Sequence, residues 1–149
     1  MKYKYTTRYQ GAIILNDQIL LIKHSHHKDG VEYWLLPGGG REEGETEEEC
    51  IQREIKEETN LDVVVERLLL EIAGQPNTSY QLYKTYLCKP LTANAQPGYE
   101  PEPEASEVYK ISEVGWFDLR SEENWPTDQV FMRFFYPQLK KIQKLLVYD

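Results

Sequence analysis

Residues Gly39 to Leu61 read GGREEGETEEECIQREIKEETNL, and the fold turns on how they are interpreted. The spacing is Gly39, five residues, Glu45, seven residues, then Arg53-Glu54-Ile55-Lys56-Glu57-Glu58-Thr59-Asn60-Leu61. Thr46 followed three residues later by Glu49 is a capping-box signature, and Glu47, Glu48 and Glu49 occupy a first turn where the helix dipole favours negative charge. Those three acids need no function. Ile51 and Ile55 supply a narrow apolar seam, and Asn60 suits a left-handed C-terminal position. The stretch therefore predicts a glycine turn feeding one well-capped helix. At roughly 100° per residue, Glu54, Glu57 and Glu58 fall within an arc of about 100°. Like charges three and four apart cost the helix roughly 0.2–0.5 kcal/mol per pair. A hard divalent cation, which takes oxygen ligands, is the natural counter-charge.

Outward from this helix the chain reads as short strands with a second helix at the end. Ala12–Leu15 and Ile19–Ile22 flank Asn16-Asp17-Gln18, a tight-hairpin composition, and Tyr33–Leu36 reads as a strand running into the glycine turn. Between them Lys23–Gly30 holds three histidines. They invite a zinc reading, but a polar loop at a strand end, or a contact to phosphate, explains them as well. Leu61–Val65 and Leu68–Ala73 read as strands, Gly74–Asn77 as a turn, and Tyr80–Cys88 as a strand with Tyr83 and Tyr86 on opposite faces. Pro90–Ser106, with four prolines and three glutamates, reads as a loop. A strand follows at Glu113–Phe117. Thr127–Phe135 could open a helix that Pro137 interrupts or restarts, and Leu139, Ile142, Leu145 and Leu146 recur at helical spacing. The 149 residues suffice for a single domain, and periodicity alone assigns an α+β or α/β class.

The net charge is −8, yet residues 41–58 hold nine acids and three bases. The acidity is local, which argues against a general nucleic-acid surface and for a place that gathers cations. Cys50 and Cys88 are the only cysteines, an unpatterned pair that suits a reducing compartment. Met1–Gln10 lacks a signal-peptide apolar run, and no segment approaches the ~20 apolar residues of a membrane span. The expectation is a cytoplasmic protein with no membrane or duplex partner.

The 39–61 stretch resembles the Nudix box, the 23-residue signature of the Nudix hydrolases. Every charged position matches, with Gly39, Glu45, Arg53, Glu54, Glu57 and Glu58 in register and Ile55 and Leu61 in the apolar places. Asn60 replaces the family's glycine and tolerates the same backbone conformation. Trp34-Leu35-Leu36-Pro37-Gly38-Gly39 also resembles the family's lead-in. The resemblance implies an α/β/α sandwich with a mixed β-sheet over residues 1–149 and hydrolysis of a phosphoric anhydride bond with Mg²⁺ or Mn²⁺. It implies Glu57 and Glu58 as principal metal ligands, Glu54 as a ligand or the general base, and a backbone carbonyl of Gly38 as a further ligand. Arg53 would pair with box carboxylates, with Glu45 the candidate partner. An acid among Glu104, Glu107 and Glu113 is a second candidate for the base.

The implied substrate is a nucleoside diphosphate linked to another moiety, with Arg41 and Tyr80 as candidate contacts and a homodimer allowed for. Pro76 lies near where ADP-ribose-cleaving relatives carry a proline, and Tyr80 near where dinucleoside-polyphosphate-cleaving relatives carry a tyrosine. The bland readings are a turn proline and a strand tyrosine. The alternative function is a nucleotide-sensing domain of the same fold without turnover. A structural cation-binding module is a third.

Overall fold

A computed structural model describes residues 6–76, 80–99 and 108–148. In chain order the strands are β1 (Thr7–Leu15), β2 (Gln18–His26), β3 (Glu32–Leu35) and β4 (Gly38–Gly39). Helix α1 (Glu47–Thr59) is followed by β5 (Val63–Ala73), β6 (Leu82–Pro90) and β7 (Tyr109–Asp118). A π-helical turn (Phe131–Phe135) then leads into α2 (Tyr136–Leu145).

The strands form one mixed sheet in the order β3-β2-β1-β6-β5, with β4 beside β1 and β7 beside β2. Among the described strands only β1 and β6 run parallel, from Thr7 opposite Leu82 to Ile13 opposite Cys88. The first hairpin is tight as the sequence predicts. Asn16 and Asp17 both have positive φ, 51° and 62°, the conformation that matches a two-residue turn to strand twist.

Beyond that turn β1 and β2 pair only at Ile14–Ile19 and Leu15–Gln18 and then splay apart. The chain from β3 to β4 fills the fork. Leu35 pairs with Ile22 of β2, and Gly39 pairs with Tyr9 of β1. The glycine turn is thereby wedged into the sheet beneath α1.

Apolar side chains alternate to two cores. Tyr9, Ile13, Leu20 and Cys88 pack with Cys50, Ile51 and Ile55 of α1, while Ala12, Ile19 and Leu21 pack with Phe131, Phe135, Leu139 and Ile142. The result is the α/β/α sandwich implied by the resemblance.

Several boundaries differ from the sequence reading. β1 begins at Thr7 rather than Ala12 because Arg8 and Gln10 are buried polar residues inside a strand, which hides the apolar pattern. The expected strands at 61–65 and 68–73 are one strand, β5, whose register shifts between Val65 and Arg67 and between Leu68 and Leu70; bulges of this kind break period-2 alternation. Lys23–His26 belong to β2, so His24 and His26 are strand residues and not part of a loop. The chain from Leu91 to Tyr99 has no regular structure, as expected, but backbone bonds fasten it to α1. Residues 100–106 of the expected loop lie outside the described residues. Pro137 restarts the terminal helix from its first turn. No helix among the described residues is long and apolar enough to cross a membrane.

Candidate functional site

Helix α1 begins and ends as its sequence dictates. Thr46 Oγ1 accepts from Glu49 N at 3.1 Å while Glu49 Oε1 accepts from Thr46 N at 2.9 Å, and Asn60 takes the left-handed conformation at φ 64°. Its buried face carries two carboxylates, Glu54 at 2% and Glu58 at 1% exposure. The Gly38 amide donates to Glu58 Oε1 at 2.8 Å. Glu54 lies directly over Gly39, where a Cβ would come within 2.5 Å of its carboxylate. A side chain at Gly39 would displace that carboxylate, and at Gly38 a Cβ would meet the Tyr9 carbonyl oxygen at 2.2 Å.

Arg53 gathers the acids. Its Nε and Nη2 donate to the two oxygens of Glu45 at 2.5 and 3.0 Å, a bidentate pair, and Nη2 also reaches the Gly40 carbonyl at 3.1 Å. Nη1 donates to Glu54 at 2.9 Å and, at 3.3 and 3.4 Å, to the oxygens of Glu57. These bonds hold the Arg53 guanidinium above its ordinary pKa, chiefly through Glu45. The same pairing with Arg53 holds the Glu45 carboxyl below the usual range, against the opposing effect of burial.

The repulsion that the sequence assigns to a cation is therefore offset in large part by Arg53. Among the described residues no three His, Cys, Asp or Glu side chains gather as a metal-holding group, because Arg53 draws Glu54 and Glu57 while the Gly38 amide draws Glu58. His24 is 2% exposed and stacks on Tyr109, with ring centroids 4.0 Å apart.

The other candidates are dispersed. Arg41 donates to the Glu45 carbonyl at 2.9 Å on the exposed side of the loop. Glu113 pairs with Lys23 at 3.0 Å on the β2–β7 ladder, and Glu104 and Glu107 lie outside the described residues. Pro76 is a turn residue. Tyr80 lies beside Arg8, whose guanidinium carbon is 5.8 Å from its ring centroid.

Three arrangements escape a reading of the sequence. Glu47, which looks like a simple first-turn acid, accepts from Lys84 and from the Tyr86 hydroxyl and so ties α1 to β6. Burial opposes its charge, but those two donors outweigh it and keep its pKa low. A strap, Gln96–Tyr99, caps the far end of α1. The amides of Gln96, Gly98 and Tyr99 donate to the carbonyls of Thr59, Glu58 and Glu57 at 2.9, 2.8 and 2.9 Å. Finally, Arg8, Gln10, Thr85 and Gln138 form a buried polar chain across the sheet. The only signal of that chain is a pair of polar residues, Arg8 and Gln10, two apart just before an apolar run.

Comparison with known proteins places this geometry. A family model for the NUDIX domain matches residues 6–138. YjhB of Bacillus subtilis (strain 168), provisionally named an ADP-ribose pyrophosphatase, is 33% identical over 96 residues, covering 61% of this chain and 44% of that protein. The NAD-capped RNA hydrolase NudC of Vibrio atlanticus (strain LGP32) is 31% identical over 111 residues, 74% of this chain and 36% of that protein. The chain thus spans less than half the length of these curated relatives. A crystal structure of a NUDIX hydrolase from Nitrosomonas europaea superposes with a TM-score of 0.71 at 23% identity, covering 95% of this chain and 73% of that one. An ADP-ribose pyrophosphatase from Streptococcus suis 89-1591 superposes with a TM-score of 0.66 at 24% identity, covering 93% and 89%.

Proposed function

Since the chain belongs to the Nudix family, we propose that it hydrolyses the phosphoric anhydride bond of a nucleoside diphosphate linked to another moiety, with ADP-ribose the first substrate to test. The observation that carries this reading is the complete acid set of α1 organised by one arginine, Arg53, over a glycine turn that has no room for a side chain. The names of YjhB and of the Streptococcus suis structure point the same way.

The donor set fits a hard divalent cation, since each candidate ligand on Glu54, Glu57, Glu58 and the Gly38 carbonyl is an oxygen. Mg²⁺ or Mn²⁺ held there would offset the charge of the diphosphate oxygens and acidify the water that attacks. Glu57 is the most accessible of the three, with a side-chain exposure of 15%, and its bonds to Arg53 are longer than that of Glu54. Glu54, buried and paired with Arg53, is better suited to holding charge in place than to exchanging a proton with solvent. Arg53 holds Glu45, Glu54 and Glu57 in place. With ADP-ribose, water adds across the P–O–P bridge and gives AMP and ribose 5-phosphate.

The test is turnover of ADP-ribose, dinucleoside polyphosphates, nucleoside triphosphates, oxidised nucleotides and NAD-capped RNA with Mg²⁺, with Glu57→Gln alongside. The parent protein should cleave at least one of these. The variant should lose more than the roughly 10–100-fold typical of an outer-shell change. Nucleotide binding by the parent without cleavage of any of them would replace this reading with the nucleotide-sensing one.

A further inference from the structure

Arg8 is a charged residue in the middle of the fold, 7% exposed, and the roles assigned so far do not use it. Burying a guanidinium is expensive unless its donors and its charge are satisfied. Two donors are spent on the protein: Nε on Gln10 Oε1 at 3.1 Å and Nη2 on the Leu36 carbonyl at 2.7 Å. Among the described residues Nη1 has no hydrogen-bond partner, and it is not among the buried unpartnered atoms, so it reaches solvent.

The surroundings say what that solvent-facing edge can bind. Leu36 is two residues before Gly38, whose amide holds Glu58. Arg8 and Glu58 therefore grip the same short segment, Leu36-Pro37-Gly38, and Tyr80 and Glu58 raise the Arg8 pKa against the opposing effect of burial. Gln10, which orients Arg8, is itself fixed by Thr85 at 3.0 Å and by Gln138. The guanidinium is thus preorganised, which reduces the cost of binding. Arg53 cannot do the same job, because Glu45, Glu54, Glu57 and Gly40 occupy all three of its nitrogens.

We propose that Arg8 is a substrate-binding residue whose unspent Nη1 donates to an oxygen of the diphosphate beside Glu58. The proposal rests on the reading of the α1 acids as the place where that diphosphate is cleaved. A planar, always-charged fork matches phosphate geometry in a way that an ammonium does not.

The experiment compares the parent with Arg8→Lys and Arg8→Met. Titration calorimetry with inorganic pyrophosphate, with and without Mn²⁺, is set beside Mn²⁺ affinity alone and thermal unfolding. Pyrophosphate affinity should fall roughly 10-fold in Arg8→Lys and roughly 100-fold in Arg8→Met, while Arg8→Lys keeps the parent's Mn²⁺ affinity and a cooperative unfolding transition. Equal pyrophosphate affinity in parent and Arg8→Lys overturns the proposal. So does a parallel loss of Mn²⁺ and pyrophosphate affinity, which would make Arg8 a brace for Leu36 only. If Arg8→Met fails to fold, Arg8→Lys decides. Failure of the parent to bind Mn²⁺ sinks the metal-dependent reading separately, and the metal-free pyrophosphate titration still scores Arg8.

Discussion

The two ends of helix α1 are built by different means. At the N-terminus every device is local: Thr46 and Glu49 cap one another, and three acids sit where the dipole welcomes them. At the C-terminus the last carbonyls are taken by a strap from the distant Gln96–Tyr99 segment, and Asn60 Nδ2 returns a bond to the Gln96 carbonyl at 3.2 Å. The difference follows from charge. Glu57 and Glu58 lie at the end where a helix dipole favours cations, a placement worth roughly 0.3–1 kcal/mol in the wrong direction per group. The end that carries the candidate chemistry is therefore intrinsically the weaker one, and tertiary contacts hold it. The same field makes it the end that attracts a cation.

Breaking the strap should have the largest effect. A Cβ on Gly98 would come within 1.7 Å of the Glu57 carbonyl oxygen. Gly98→Ala should therefore cost about 2–3 kcal/mol, as overpacking does, and lower the melting temperature by roughly 5 °C or more. Mn²⁺ affinity should fall with it. A variant with normal stability and normal metal affinity would show that the strap does not hold the ligand end.

Removing the local cap should do less. Thr46→Ala should cost about 1 kcal/mol, visible in thermal unfolding, and leave turnover per folded molecule unchanged. A loss of activity beyond the loss of folded protein would mean that the two ends are not independent.

The smallest effect sharpens the contrast through pH. Glu45 and Glu47 both titrate below the usual glutamate value in the folded chain. The stability they contribute is complete above the unfolded value of about 4.3 and is lost as pH falls through their lower folded values. The strap is made of backbone bonds and does not titrate. Denaturation measured between pH 3 and 7 should show this acid-side loss, and Glu45→Gln should flatten it; an unchanged pH profile in that variant would remove Glu45 from the account.

Local motifs were readable because their partners lie within a few residues. The capping box, the left-handed Asn60 and the first hairpin all appear where their residues imply. The pairing of Arg53 with Glu45, which the family resemblance implies, is present as well. The histidines of β2 were not readable, because a buried imidazole stacked on Tyr109 leaves the same trace in a sequence as a polar loop. The tie of Glu47 to β6 is hidden for a related reason: Tyr86 and Lys84 approach it from a strand 37 or more residues away.

By itself the sequence determined the helix, its caps, the acidic face and the glycine turn, since spacing along one chain fixes which side chains share a helix face. Only the tertiary structure decided where those acids point. It set Arg53 among them, wedged Gly38 and Gly39 between splayed strands, brought Gln96–Tyr99 onto the helix end and buried Arg8 beside Leu36. Each of those contacts joins residues whose proximity depends on the order of strands in the sheet, and strand order is a property of the packed chain that no local pattern encodes.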